Sequence, residues 1–148
     1  MPPDDEILAV RLLLRSFAIR RDRWIAALCH DMDVSRTDYD ALEALDENGP
    51  LTPGELGTLL SLTSGSVTAL IDRLERLDWA TREQHPDDRR KVVVKLTMTA
   101  WQLGQNELRP YLNAVDAATR NLTKDQRRIV SAFLGRLVEN VDKAPRAE

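Results

Sequence analysis

The stretch that decides the fold is LTSGSVTALIDRLERLDWATREQHPDDRRKVVVKLT, residues 62–97. Its first half carries a narrow apolar stripe at the spacing of one helix face: Val67, Leu70, Ile71 and Leu74. This spacing predicts an amphipathic helix over 64–77. The second half has strand-like composition over 79–83 and 92–96, on either side of a turn rich in Pro and Asp. A helix followed at once by a hairpin is the arrangement of a winged helix-turn-helix.

The side of this helix opposite the apolar stripe changes character along its length. Its first turns carry small or hydroxyl-bearing residues and its later turns carry arginines: Ser64, Gly65, Ser66, Thr68, Arg73 and Arg76. Small residues permit close approach to the floor of a DNA groove, while hydroxyls and the helix N-terminus donate hydrogen bonds to bases and phosphates. An ordinary solvated helix face is the alternative interpretation.

The tip of the hairpin is basic, because three consecutive cations, Arg89, Arg90 and Lys91, follow the turn. Crowding like charges is unfavourable unless something anionic offsets them. We expect Asp88 to pair with a neighbouring arginine, so that the free arginine enters the minor groove of DNA. An exposed loop kept soluble by its charge is the alternative, but a basic hairpin next to the preceding helix favours DNA.

The distribution of charge allows DNA binding although the formal net charge of the 148-residue chain is −3. Residues 1–50 contain 6 basic and 11 acidic side chains, whereas the hairpin segment 82–95 contains 5 basic and 3 acidic ones. The acidity therefore lies mainly at the N-terminal end, and a local basic feature is enough for phosphate contact.

Composition places the chain among globular proteins of the cytoplasm. No apolar run approaches the ~20 residues that a membrane span needs, so no membrane association is expected. The N-terminus, MPPDDEILAV, has acids where an export signal has a basic segment. The single cysteine, Cys29, excludes an internal disulfide.

Helices are predicted on both sides of the central stretch. A long one over 4–30 has apolar residues on more than one face, which indicates a partner surface such as a second subunit; a central helix of a monomeric bundle is the alternative. Ser35 and Thr52 read as helix caps, and Pro110 predicts a kink in a helix over 98–121. The predicted organisation is 1–34 for dimerisation, 35–97 for DNA binding and 98–148 for dimerisation, within one compact chain.

Three short motifs resemble, in order and spacing, those of the MarR family of bacterial transcriptional regulators. They are Leu51-Thr52-Pro53-Gly54-Glu55-Leu56, then Ser66-Val67-Thr68 with Asp72-Arg73-Leu74-Glu75, and finally Asp88-Arg89-Arg90 followed by Leu96-Thr97. The resemblance extends over nearly the whole chain. One departure is Asp78, where the family usually has Gly at the end of the recognition helix.

The resemblance implies a mainly α fold with a small β-wing: a winged helix-turn-helix with N- and C-terminal dimerisation helices. It implies a homodimer that reads a pseudo-palindromic site in double-stranded DNA. The residues that would then serve DNA binding are Ser64, Gly65, Ser66, Thr68, Arg73, Arg76, Asp88, Arg89 and Arg90. Among them, Arg73 and Arg76 correspond to positions near the DNA backbone, Arg90 to the wing arginine of the minor groove, and Asp88 to the acid that braces it.

The sequence indicates less about the signal to which such a regulator responds than about how it binds DNA. The resemblance implies a repressor released by a small aromatic or anionic effector, and Trp24 and Trp101 are candidates to line its cleft or are plain core residues. Cys29 is either an oxidant sensor or a small buried hydrophobic residue. Cys29, His30 and Asp31 are too close in sequence to converge on one metal ion, and we expect no metal and no cofactor.

An enzyme is not expected, because the sequence has two histidines, no nucleophile motif and no phosphate-binding loop. A winged helix that binds another protein instead of DNA is the remaining alternative. The arginines of the hairpin distinguish the two, since only DNA binding requires them to contact phosphate.

Overall fold

The computed structural model describes residues 4–145. Over this range the chain is helical apart from one antiparallel hairpin, which confirms the predicted mainly α fold with a small β-wing. Its elements are α1 (Asp5–Asp31), α2 (Arg36–Asn48), α3 (Pro53–Leu60), α4 (Ser64–Arg76), β1 (Ala80–Gln84), β2 (Val92–Leu96), α5 (Met98–Glu107), α6 (Arg109–Arg120) and α7 (Lys124–Asp142). No helix in this part of the chain is both long and apolar enough to cross a membrane.

Side-chain caps begin α2 and α3 where the sequence predicts them, in the lobe formed by α2, α3, α4 and the hairpin. Ser35 accepts a hydrogen bond from the backbone N–H of Asp38 at 3.0 Å, and Thr52 forms a reciprocal capping box with Glu55. The Thr63 side chain caps α4 by accepting from the backbone N–H of Ser66 at 3.3 Å. Each such cap satisfies an N–H group that the first turn leaves unpaired and contributes about 1 kcal/mol.

The core of the lobe forms where α2, α3, α4 and the hairpin meet. The predicted apolar stripe of α4 is completely buried there, against residues of the other elements: Ala41, Leu45, Leu56, Ala80 and Val94. Full burial of one large aliphatic side chain is worth about 1.5–3 kcal/mol. The outward face of α4 is therefore fixed by the burial of the opposite face.

The hairpin is attached to the lobe at its base. Ala80 pairs with Leu96 and Gln84 with Val92, so β1 begins one residue later than the predicted strand over 79–83. Val94 exchanges two backbone hydrogen bonds with Leu51, of 2.7 and 3.0 Å, so the segment before α3 adds a short third strand contact. Backbone hydrogen bonds therefore join the wing to the segment that begins the helix-turn-helix.

Asp78 forms the corner between α4 and β1 in a left-handed backbone conformation, with φ of +56°. A non-glycine residue pays a steric penalty there. Two threonines from beyond the hairpin hold the corner: the Thr97 hydroxyl donates to the Asp78 carbonyl at 2.6 Å, and the Thr99 hydroxyl donates to its Oδ2 at 2.9 Å. The departure from the family's glycine is thus accompanied by local hydrogen bonds that stabilise the turn.

The chain divides into two compact units, the first ending at Gln105 and the second beginning at Asn106. The second unit contains α6 and α7, and Thr123 with Gln126 forms a capping box at the start of α7. The prediction of one kinked helix over 98–121 is wrong, because this range forms two helices. The first, α5, ends at Glu107. Pro110 lies in the first turn of α6, where its missing N–H costs no helical hydrogen bond.

Candidate nucleic-acid interface

The first turns of α4 present an exposed surface of small and hydroxyl-bearing residues. Ser64, Gly65, Ser66 and Thr68 are all exposed. The Ser66 hydroxyl lies 2.9 Å from that of Thr63, and the Thr68 hydroxyl donates to the Ser64 carbonyl at 3.0 Å. A Cβ added at Gly65 would meet no atom of the described chain within 4 Å, so packing does not require glycine there. The side chains of this surface are short, and the hydroxyl groups of Ser66 and Thr68 are oriented by hydrogen bonds, so a binding partner has room to approach closely.

The two arginines of α4 differ in their surroundings. Arg76 is exposed. Arg73 instead makes a bidentate ion pair with Asp38 of α2: its Nε lies 2.8 Å from Oδ1 and 3.0 Å from Oδ2. The Asp38 side chain is buried, 6% exposed, and also accepts from the Ser35 hydroxyl at 2.7 Å. The Asp38 carboxylate therefore connects the cap residue of α2 to Arg73 of α4.

A second ion-pair cluster connects α4 to the hairpin through Arg82 of β1. Its Nη2 donates to Asp72 at 2.7 Å, its Nη1 donates to Glu75, and its backbone N–H also donates to Glu75 at 3.0 Å. The pKa of the Arg82 guanidinium is raised, first by its hydrogen bond to Asp72. Arg82 was not among the residues predicted from the sequence.

The wing tip carries its three cations in the open. Arg89, Arg90 and Lys91 are exposed, and no ion pair to any of them occurs among residues 4–145. The expected pairing of Asp88 with an arginine side chain is wrong. The Asp88 carboxylate accepts from the backbone N–H of Arg90 at 3.1 Å, and its carbonyl accepts from the Lys91 N–H at 2.9 Å. Asp88 therefore shapes the turn and leaves the guanidinium groups available.

The candidate signal residues lie in three different environments. Trp24 is half-buried on α1, and Trp101 is 46% exposed on α5. Cys29 is buried, and burial raises the pKa of its thiol although Arg36 acts in the opposite direction. Among the described residues, no group of three or more metal-binding side chains occurs.

Comparison with known proteins places this site in a family. The MarR family profile matches residues 32–91, from the end of α1 to the wing tip. The HTH-type transcriptional regulator YcgE of Bacillus subtilis is 33% identical over 132 residues, which cover 88% of this chain and 85% of YcgE. The multiple antibiotic resistance protein MarR of Salmonella typhimurium is 31% identical over 123 residues, covering 82% and 85%.

Solved structures agree with the sequence relatives. A cysteine-to-serine mutant of MarR from E. coli, complexed with operator DNA, superposes with a TM-score of 0.55 at 25% identity over 93% of this chain and 99% of its own. A MepR mutant from S. aureus shares the fold, with a TM-score of 0.74 at 17% identity, over 89% and 96%. The resemblance read from the motifs is confirmed. The chain belongs to the MarR family of winged helix-turn-helix proteins and is a transcriptional regulator rather than an enzyme.

Proposed function

We propose that this protein is a cytoplasmic repressor that binds a pseudo-palindromic operator as a homodimer and leaves it when a small effector binds. The observation that carries the DNA-binding part is the pairing of two surfaces in one lobe. One is the exposed small-residue face of α4, and the other is a wing tip with three exposed cations. The first suits a major groove and the second suits the negative potential of a minor groove.

The proposed contacts follow from exposure and hydrogen bonding. The hydroxyl-bearing residues and Gly65 at the start of α4 face base edges or nearby phosphates, and Arg76 contacts the DNA backbone. Arg90 enters the minor groove, Arg89 contacts flanking phosphates, and Asp88 holds the turn that presents them. Arg73 takes a different role from the one its position in the family pattern implies, because its guanidinium is already occupied by Asp38.

Exposed apolar faces of the terminal helices support the homodimer. In the described chain, Leu13 of α1 is 69% exposed and Ile129 of α7 is 68% exposed. Other large apolar residues exposed on these two helices are Ile7, Leu8, Leu12, Phe17, Val130, Val138 and Val141. Apolar surface of this extent gains about 25 cal/mol per Å² when it is removed from water. A second copy of the chain provides the matching surface for each helix.

Release by an effector is supported by Trp101. A tryptophan that serves only the core would be mostly buried, whereas Trp101 keeps nearly half of its surface accessible. An aromatic side chain in such a position offers a stacking surface to a small aromatic or anionic molecule. Repression itself follows if occupancy of the operator blocks transcription.

Selection of bound DNA from a random pool by the purified protein tests this function. We expect recovery of a palindrome with half-sites about one helical turn apart, bound by two chains in sedimentation analysis. Binding should weaken steeply as salt rises. Failure to enrich any sequence, with no salt-sensitive DNA binding, would reject the proposal and favour a winged helix that binds another protein.

The buried thiol of Cys29 leads to a prediction about oxidants. A raised pKa leaves little of the reactive thiolate at neutral pH. We expect peroxide to change operator affinity equally little in the wild type and in Cys29→Ser, and the thiol to react with a chromogenic disulfide at least about tenfold faster in urea than in the folded protein. Peroxide release of DNA by the wild type, lost in Cys29→Ser, would instead establish Cys29 as a sensor.

A further inference from the structure

We propose that Arg82 is a positioning residue that sets the wing relative to the recognition helix α4, and that it thereby determines operator discrimination without contacting DNA. The inference rests on the proposed DNA binding and adds a specificity determinant to it. It concerns a residue outside both surfaces that face the DNA.

The geometry joins two elements that would reach different grooves. Arg82 lies in the middle of β1, opposite the buried Val94. Its three hydrogen bonds run to residues one turn apart on α4: two reach Glu75, and the third, of 2.7 Å, reaches Asp72. Because a side chain and a backbone N–H are both engaged, the strand is fixed in position and in orientation against the helix.

The occupied guanidinium argues against a phosphate contact by Arg82 itself. Both of its terminal nitrogens already donate to carboxylates. The cluster also neutralises Asp72, whose side chain is on the exposed side of α4, where an unpaired acid would repel DNA. Arg82 therefore acts on DNA binding through the placement of other groups.

The part of the wing nearest the lobe is anchored by apolar packing, because Ala80 and Val94 are buried in the core of the lobe. The Leu51–Val94 bridge and the Thr97–Asp78 bond hold its base, and Arg82 holds its middle on the side of α4. The cations lie beyond β1, at the far end of the hairpin. A small rotation about the base therefore displaces Arg90 by more than the fraction of an ångström that a specific contact tolerates.

A double-mutant cycle between the wing anchor and the wing tip tests the inference. Arg82→Gln removes both ion pairs and keeps the backbone bond to Glu75. We expect it to lower the affinity for the selected operator on the order of tenfold relative to non-operator DNA. We also expect Arg90→Ala to cost at least about threefold less affinity in the Arg82→Gln background than in the wild type.

Glu83→Gln is the matched control, because Glu83 neighbours Arg82 in the same strand but pairs across the hairpin with Lys95 at 2.7 Å. We expect this control to leave the ratio of operator to non-operator affinity unchanged. Asp72→Asn combined with Glu75→Gln gives a second test should Arg82→Gln fold poorly. Removing two acids strengthens binding to any DNA by simple electrostatics, whereas loss of the clamp lowers the operator ratio.

Three outcomes would overturn the inference. Additive costs of Arg82→Gln and Arg90→Ala would show that Arg82 serves only the fold. If Arg82→Gln lowered the slope of log affinity against log salt by about one for each subunit, Arg82 would be a direct ligand of a phosphate. An unchanged operator ratio in the Asp72 and Glu75 double variant would show that the clamp does not set discrimination. A wild-type protein that prefers no DNA sequence in the same assay would instead reject the proposed function.

Discussion

Arg90→Ala is expected to weaken operator binding by about 10- to 100-fold at constant salt. Arg90 is exposed at the wing tip, and its guanidinium is not held by the neighbouring acid, because Asp88 accepts from the backbone N–H of Arg90 instead. In the proposed complex, its loss removes a cation from a minor groove whose narrowness concentrates negative potential. The slope of log affinity against log salt should fall by about one for each subunit.

The control for this variant is Arg120→Ala, which removes an exposed arginine of α6 whose ion pair among the described residues is with Asp116 on its own helix. We expect operator affinity to remain within about twofold of the wild type, since a surface pair of this kind contributes little. Filter binding or fluorescence anisotropy at three salt concentrations measures both quantities. Unchanged affinity in a folded Arg90→Ala protein would contradict the proposed role of the wing.

Arg73→Met is expected to lower the free energy of unfolding by about 2–3 kcal/mol, less than the ~3–5 kcal/mol that breaking a fully buried ion pair costs. The variant leaves the Asp38 carboxylate buried, with the Ser35 hydroxyl as its remaining hydrogen-bond donor among the described residues. The partial exposure of Arg73 and the remaining bond to Ser35 keep the cost below that of a fully buried pair. Urea unfolding at a fixed protein concentration measures it.

Arg76→Met is the matched control on the same helix, three residues further on, and should change stability by no more than about 0.5 kcal/mol. In DNA binding the order is reversed. We expect Arg76→Met to lower the slope of log affinity against log salt, and Arg73→Met to leave that slope unchanged. Adding Asp38→Asn to Arg73→Met should restore part of the lost stability, because the unpaired charge is then absent. Equal unfolding free energies for the two arginine variants would contradict the structural role of Arg73.

The architecture of the lobe was predictable because its signals are local. The apolar stripe of α4 and the caps at Ser35 and Thr52 depend on residues within one or two turns of each other. The hairpin was recognisable from the alternation of Val92, Val94 and Leu96 and from the turn rich in Pro and Asp before them, and only the start of β1 shifted by one residue. Pro110 indicated a disruption, but whether a helix kinks or breaks there depends on packing beyond the local sequence.

The partners of the charged residues were not predictable in the same way. Arg73 and Asp38 are 35 positions apart, and they meet only because the packing of α2 against α4 brings them together. The Arg82 cluster likewise needs β1 to return along α4. At the wing tip, the sequence places Asp88 next to two arginines, but the tight turn brings the Arg90 N–H closer to its carboxylate. The exposed face of α4 followed from periodicity, whereas the structure was needed to show that Arg73 and Arg82 are engaged in ion pairs.

The corner at Asp78 constrains how this sequence can drift during evolution. Glycine adopts the left-handed conformation without penalty and needs no assistance, whereas aspartate here relies on a hydroxyl that lies 21 positions away, at Thr99. We therefore expect residues 78 and 99 to vary together among relatives. A chain with glycine at position 78 would no longer need a hydroxyl at position 99, which would then be free to vary.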